Sequence, residues 1–446
     1  MNRILIIGAG RSSPYLIKYL LEQAAERSWE IVVGDISLDL AQARVNGNQN
    51  GRAIELDIND SSKREREIAA ADVVVSMLPS LMHIDVAKDC VRLKKHLITA
   101  SYVSDELEAL DEDAKKSGVV LLNEIGVDPG LDHLSCMKII EDISSAGGTI
   151  QSFESFTGGL IAPESDNNPW NYKFTWNPRN VVLAGQGGVK FIQEGMYKYI
   201  PYHKVFSRIE KLTIPEYGVF EGYANRDSLK YREVYGLENI PTLYRGTLRR
   251  PGFCAAWDLF VQLGATDDSY IMENTENMTH REFINSFLFY NAGNSVELKA
   301  AYHLGIGIES DELAKLKWLG IFEDTVVGLK NATPAEILQH ILEKKWKLDP
   351  EDKDMIVMLH RIYYEIDGER KELNSNLFVI GEDSTFTAMA KTVGLPLGIA
   401  TKLVMTGVIK TPGVQLPISK EIYDPALNEL KEYGINFEET TYDAKQ

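Results

Sequence analysis

Tyr102 and Asp128 each stand where a side chain could move a proton. Each follows a short apolar run, in "LITASYVSD" and in "VVLLNEIGVDPG". If such runs are strands of a parallel sheet, residues just past their ends fall at its carboxyl edge, where ligands bind. A tyrosine or an aspartate there can hold a substrate amine or shuttle a proton. Asp128 could equally be a turn residue or the cap of a helix that starts near Pro129. Ser101 falls on the same edge. Further on, "YANRDS" carries Arg226 in a polar loop, suited to bidentate capture of a carboxylate. In "YRGTLRRPGF" the small residues Gly246 and Thr247 expose backbone amides between Arg245 and Arg249. Two arginine-bearing loops in an acidic chain point to an anionic substrate.

A nucleotide loop precedes these residues. In "RILIIGAGRSSPYLIKYL" an apolar run meets a helical pattern through Gly8 and Gly10. Gly8 permits a tight turn and Gly10 lets a pyrophosphate approach the backbone, while the helix start offers free amides to the phosphates. Ser13 stands where a third glycine is usual; a small residue suffices there. Pro14 falls in the first helical turn, where its missing N–H would be unpaired anyway. The second run ends at Asp35, 25 residues beyond Gly10. An acid at this point holds the ribose hydroxyls of NAD and repels the 2′-phosphate of NADP. "GDISLDLAQ" has no arginine to neutralise that phosphate, so NAD is expected over NADP. A solvated aspartate at a strand end is the plainer alternative.

Other chemistries find no support. His83 and His96 are thirteen residues apart, the other six histidines are isolated, and no HExxH, CxxC or GxSxG occurs. Metal and serine-hydrolase sites are therefore not expected. The formal charge is 47 − 65 = −18, which argues against nucleic acid or an anionic membrane as a main partner. Cys90, Cys136 and Cys254 are scattered and odd in number, as in a reducing cytosol, and the N-terminal "ILII" reads as a strand rather than an export signal. No segment has the ~18 consecutive apolar residues of a spanning helix. The expectation is a cytoplasmic protein, with 44% hydrophobic and 25% charged residues in globular proportion.

The elements that would position these residues alternate in kind. "ILIIG", "EIVVGD", "AIELDI", "DVVVSMLP", "HLITAS" and "VVLLNEIG" are short, continuous apolar runs, as strands covered on both faces must be. Between them lie helical stretches such as "SLDLAQARV" and "MHIDVAKDCVRLKK". That alternation predicts a parallel sheet of Rossmann type. "SSKREREIAA" reads as a solvated helix face. After Gly126 the pattern changes to a helix in "PGLDHLSCMKIIEDISSAGG", then to an alternating strand in "TIQSFESFTGG". The stretch from about 150 to 265 reads as mixed sheet, and 266–350 as mostly helix. Asp367-Gly368 joins two strands in a hairpin, helix returns from Ser384, and the acidic tail "NFEETTYDAKQ" reads as frayed. The fold class is α/β: a Rossmann-type domain (1–125 and 385–446), a mixed α/β substrate and dimerisation domain (126–265 and 351–384), and a helical insertion (266–350).

Several stretches in order resemble the saccharopine dehydrogenase (saccharopine reductase) family, glutamate-forming type. They are "SYVS", "NEIGVDPGLDHL", "GGLIAPE", "NPWNYKFTWNPR", "YANRDS", "RGTLRRPGF" and a closing "TVGLPLGIATKLVMTGVI…GVQLPISKEIYDPALNELKEYGI". The resemblance covers nearly the whole chain. It implies oxidation of the secondary amine of saccharopine to an imine with hydride passing to a nicotinamide. Water then releases glutamate and 2-aminoadipate 6-semialdehyde, a step of lysine metabolism. It implies a cofactor on Gly8, Gly10, Arg11, Ser12, Ser13, Asp35, Asp57, Ile58, Leu78, Thr99, Ala100, Gly126, Val127 and Asp128, with Thr175 near the nicotinamide. Substrate would meet Ser101, Tyr102, Asp128, Arg226 and the backbone of Gly246, Thr247 and Leu248; a homodimer is expected. Tyr102 and Asp128 would handle protons, with acid and base left unassigned. Three departures stand out. Asp35 replaces a Ser/Arg-type NADP pocket, Thr157 replaces a cysteine common before "GGL", and Ile161 replaces a proline. The rivals are a carboxynorspermidine or homospermidine synthase-like reductase, whose polyamine would call for pocket carboxylates rather than arginines, and a non-catalytic dinucleotide sensor.

Overall fold

The computed structural model describes residues 2–444. The chain divides into two compact units, one of residues up to Ile150 together with those from Asp354 on, the other Gln151–Lys353.

The first unit is built on a seven-stranded parallel sheet. Its strands are β1 (Asn2–Ile7), β2 (Trp29–Asp35), β3 (Gly51–Glu55), β4 (Val73–Ser76), β5 (His96–Thr99) and β6 (Val120–Leu122), with Gly413–Gln415 as the seventh. The order is Gly413–Gln415, β6, β5, β4, β1, β2, β3, and every neighbouring pair is parallel. The six runs expected from the sequence are these six strands. Ile4, Leu5, Ile6 and Ile7 are at most 1% exposed, which explains why the run does not alternate: both faces are covered. Leu5, Ile7, Val32, Val74, Leu97 and Leu121 fill the core on one face with Ile68, Val86 and Cys90 from the crossover helices. The order reverses between β1 and β4, and ligands bind at such a switch point.

The C-terminal part of this unit completes the layer. Helix Ala388–Met405 packs along helix Pro14–Arg27. Among the described residues it is the one helix with the length and hydropathy of a membrane span, yet 83% of it is buried in the protein. The hairpin Asp354–Ile366 and Glu369–Ile380 turns at Asp367 (φ 53°) and Gly368 (φ 78°), as the Asp-Gly pair predicts. The acidic tail, expected to be frayed, forms strand Glu438–Asp443 on the hairpin edge instead. The free edge of Glu369–Ile380 offers it a full row of pairing groups, and Lys371 Nζ meets Asp443 Oδ1 at 2.7 Å. Lys445 and Gln446 of that tail lie outside the described residues.

The "SSKREREIAA" helix is also less solvated than expected, because Glu67 is buried against Arg3 at 2.6 Å. Residues 126–150 and 354–384, expected in a second domain, belong to the first unit. The hairpin pairs with the tail strand and packs on helix Ala388–Met405.

Asp354 ties the hairpin to that helix. It is fully buried and its carboxylate accepts the amides of Ala388 at 2.5 Å and Met389 at 2.9 Å. Burial pushes its carboxyl up to about 6 against the pull of those amides. A carboxyl raised in the folded state holds its proton where the unfolded chain has lost it. Its contribution is therefore complete below its unfolded value and is lost as pH rises through about 6. Roughly two units correspond to ~3 kcal/mol. Between pH 4 and pH 7 the stability of Asp354→Asn is expected to fall less than that of wild type by about this amount, checked by denaturant melts at each pH.

The second unit is a mixed sheet with a helical segment. Strands Ile209–Ile214, Gly218–Ala224 and Thr242–Arg249 run antiparallel, and Thr242–Arg249 pairs in parallel with Thr149–Ile161. The expected helical stretch holds His280–Asn285, Val296–Leu304, Asp311–Trp318 and Pro334–Lys345, within this same unit. Thr279 with Glu282 and Thr333 with Glu336 form capping boxes. An aromatic cluster of Trp170, Tyr172, Phe253, Trp257 and Trp346 fills the unit's core.

Candidate functional site

In the first unit the sites expected from the sequence gather at the carboxyl edge of the sheet. Gly8 and Gly10 follow β1, Asp35 ends β2, Asp57 and Ile58 follow β3, and Leu78 follows β4. Thr99, Ala100, Ser101 and Tyr102 close β5, while Gly126, Val127 and Asp128 lie past β6. Gly8 has φ +106°, and its amide donates to the carbonyl of Gly34 at 2.7 Å. A Cβ on Gly8 would meet the Met77 carbonyl at 3.1 Å. At Gly10 a Cβ would meet nothing within 4 Å, so the loop leaves open space on that side. Arg11 is exposed and Ser12 half-buried. Ser13 is fully buried; its hydroxyl donates to the Gly10 carbonyl at 2.8 Å, closing the turn that a third glycine would leave loose. Pro14 begins the helix. The open face at Gly10 before a helix start fits a dinucleotide pyrophosphate.

Asp35 does more than end a strand. Its Oδ2 accepts the amide of Ala9 at 2.7 Å and its Oδ1 that of Ser37 at 2.9 Å, so it braces the glycine loop. Arg44 was not expected here, yet its Nε donates to the Ala9 carbonyl at 3.2 Å. It stands nine residues after Asp35 in helix Leu38–Val45, past the end of "GDISLDLAQ", and the helix folds it back over the loop.

Tyr102 and Asp128 meet: the Tyr102 hydroxyl donates to Asp128 Oδ1 at 3.1 Å. Asp128 sits in the turn from Gly126 to Gly130, where the Gly126 amide donates to the Pro129 carbonyl at 2.8 Å, followed by helix Leu131–Ser145. The cap position is Gly130 rather than Asp128, which leaves the aspartate for other work.

Three buried residues behind them escaped sequence reasoning. His83 is 2% exposed and contacts Ser101 Oγ at 2.7 Å through Nε2 and Ser76 Oγ at 2.8 Å through Nδ1. Burial pushes it down to about 4, so it is a neutral hydrogen-bonding group in the physiological range. Glu124 (φ 54°) accepts the amide of Val103 at 3.1 Å, while its own amide donates to the Ser101 carbonyl at 3.1 Å. His133 Nε2 meets its other carboxylate oxygen at 3.0 Å. Together they fix the Ser101-Tyr102-Val103 segment from both ends. The signal for His83 in the sequence is its place at the start of the helix after β4, which metal-ligand spacing does not register.

In the second unit, Arg226 (φ 50°) is exposed two residues after strand Gly218–Ala224. That strand pairs Gly222 with Leu248, Tyr223 with Thr247 and Ala224 with Gly246, so the chain reaches Arg226 at the Arg245 end of that stretch, with Gly246 nearer than Leu248. The Asn225 amide donates to the Arg245 carbonyl at 2.9 Å. Thr175 is buried and its Oγ1 has no partner. Among the described residues no group of three or more His, Cys, Asp or Glu could hold a metal ion.

Residues 4–122 match the family model of the saccharopine dehydrogenase NADP binding domain, and 126–435 that of the saccharopine dehydrogenase C-terminal domain. A "saccharopine dehydrogenase [NADP(+), L-glutamate-forming]" of Schizosaccharomyces pombe is 34% identical over 99% of this chain and 100% of its own. The protein of that name from Saccharomyces cerevisiae is 33% identical over 99% of each. An alpha-aminoadipic semialdehyde synthase of Arabidopsis thaliana is 33% identical over 98% of this chain and 44% of its own length. The apo saccharopine dehydrogenase (L-Glu forming) structure from S. cerevisiae superposes with a TM-score of 0.88 over 99% of this chain and 100% of that one, at 32% identity. A homospermidine synthase structure from Legionella pneumophila covers 99% of this chain and 92% of its own with a TM-score of 0.56; at 12% identity it shares the fold alone.

Proposed function

The chain belongs to the saccharopine dehydrogenase family, and from that premise we propose that it oxidises the secondary amine of saccharopine. It is an oxidoreductase acting on CH–NH donors, with a nicotinamide dinucleotide as cofactor. Saccharopine, oxidised dinucleotide and water become glutamate, 2-aminoadipate 6-semialdehyde, reduced dinucleotide and one proton. The observation that carries the proposal is the Tyr102–Asp128 pair at the carboxyl edge of the sheet.

When bound, the cofactor supplies the acceptor for hydride from the carbon that bears the substrate nitrogen. The chain's own residues manage the protons. The amine must be neutral to be oxidised, and Asp128, hydrogen-bonded to Tyr102, takes or returns its proton. Ser101, held by His83, orients the substrate. Arg226 and the Gly246-Thr247-Leu248 backbone take carboxylates. Incubation with saccharopine, followed by amino-acid analysis, tests the reading: glutamate and reduced cofactor are expected in equal amounts. Reduced cofactor without glutamate, or neither, would overturn it. The arginines favour this substrate over the polyamines of a homospermidine synthase-like reductase, and the Tyr102–Asp128 pair speaks against a non-catalytic sensor.

NAD is proposed as the preferred dinucleotide. The support is Asp35, whose carboxylate at the end of β2 repels a 2′-phosphate. The S. pombe and S. cerevisiae relatives carry NADP(+) in their names, and Arg44 beside Ala9 is the residue such a phosphate would recruit. Fluorescence titration is expected to show NADH binding at least about tenfold more tightly than NADPH, the ~1.4 kcal/mol of one repulsive contact. Tighter NADPH, weakened selectively by Arg44→Met, would reverse the assignment. A homodimer in the cytosol is proposed with it, supported for the compartment by three free, buried cysteines.

A further inference from the structure

Strand Thr242–Arg249 ends on a buried cation without a counter-ion. Arg249 is 5% exposed. Its Nη1 donates to the carbonyl of Leu248 at 3.0 Å, and its Nε has no partner. Among the described residues no carboxylate forms an ion pair with it. Glu221 lies opposite it across the strands, but turns its carboxylate to the amides of Gly252 at 2.7 Å and Cys254 at 3.0 Å.

The guanidinium lies over three rings instead, at 5.1 Å from Tyr172, 5.2 Å from Phe253 and 5.8 Å from Tyr223. Ring faces attract the cation, but they offer nothing to its N–H donors, which leave the group in its own plane. Beyond the Leu248 carbonyl on Nη1, an in-plane acceptor is what the arrangement lacks, above all at Nε.

A second unsatisfied group lies on the same face of the sheet. Thr247 shares that face with Arg249, two residues on, and pairs in register with Tyr223 on one side and Thr157 on the other. Thr157 is 8% exposed and its Oγ1 has no partner. Buried polar groups in folded proteins find partners, and a buried charge without one is costly. Two of them beside one residue point to a partner supplied from outside the protein. The partner must be an anion with acceptors in a plane, which describes a carboxylate.

We propose that Arg249 and Thr157 form a carboxylate subsite for the substrate, adjoining the Gly246–Leu248 backbone. The subsite rests on the reading that the chain takes saccharopine, and it adds a specificity residue that the exposed Arg226 does not replace. An acceptor between a fixed guanidinium and a hydroxyl selects a carboxylate-bearing amine over a polyamine.

The test uses Arg249→Met and Thr157→Val in the full chain, with saccharopine as substrate and glutarate as a simple dicarboxylate probe. Arg249→Met is expected to raise the KM for saccharopine about 100-fold, with cofactor affinity unchanged. Thr157→Val is expected to raise it about tenfold. Without ligand, Arg249→Met is expected to melt no lower than wild type, because an uncompensated charge has been removed. Glutarate should raise the melting temperature of wild type and not that of Arg249→Met. A KM within about threefold of wild type in Arg249→Met, with a lowered melting temperature, would make Arg249 a structural clamp and overturn the subsite. If Arg249→Met does not fold, an unchanged KM in Thr157→Val overturns it equally. Failure of the broader reading looks different: wild type that ignores saccharopine, yet loses its response to glutarate on Arg249→Met, keeps the subsite and loses the reaction.

Discussion

Asp128→Asn is expected to lower kcat for saccharopine oxidation by about 10³-fold while leaving cofactor affinity within about threefold. The substitution is nearly isosteric. Its amide oxygen can still accept the Tyr102 hydroxyl, so the 3.1 Å contact and the turn around it survive. What goes is the ability to carry a proton near neutral pH. Tyr102→Phe keeps the ring and removes the hydroxyl, and about a 10²-fold loss is expected. Because the two groups work as one hydrogen-bonded unit, the double variant should be little worse than Asp128→Asn alone. Steady-state kinetics with saccharopine varied at saturating dinucleotide checks all three. Retention of a tenth or more of wild-type kcat in Asp128→Asn would remove Asp128 from the chemistry.

Gly130→Ala is expected to be nearly as damaging without touching a reacting group. Gly130 has φ +148°, open to glycine and strained for any other residue. A Cβ there would stand 2.0 Å from the Gly126 carbonyl oxygen and 2.2 Å from its nitrogen. Both neighbours are backbone and cannot swing aside. They are also bonded, since the Gly126 amide donates to Pro129 at 2.8 Å and the Gly126 carbonyl accepts from Leu131 at 2.9 Å. Relief of the clash requires the turn to open, which carries Gly126, Val127 and Asp128 off the sheet edge. The expected result is a kcat/KM lower by about 10²-fold or more and a melting temperature lower by about 5 °C or more. Circular dichroism melts together with kinetics check it. A variant that melts and turns over like wild type would show that the turn does not position Asp128.

What the sequence disclosed and what it withheld divide along physical lines. The parallel sheet was legible because strands buried on both faces must be apolar throughout, and short runs such as "ILII" and "VVVS" alternate with helical stretches. The hairpin was legible because Asp367-Gly368 supplies two positive φ values in succession. Tyr102 and Asp128 were legible as strand-end residues, although nothing local says that they touch. Contacts made at a distance were not. Arg44 reaches Ala9 across 35 positions, and Asp354 caps a helix 34 residues away. The tail strand has no signal of its own, since its pairing partner is the edge of a hairpin far upstream. Arg249 resembles any strand-end arginine in the sequence; only the missing counter-ion sets it apart.

The most direct test of the account follows reduced nicotinamide by absorbance in purified wild type and Asp128→Asn, with saccharopine and saturating NAD. Wild type is expected to form reduced cofactor steadily and release one glutamate for each, while the variant binds both ligands and forms almost none. Tight binding of NAD with no reduction by wild type, or equal rates in the two proteins, would contradict the assignment of saccharopine oxidation to this site.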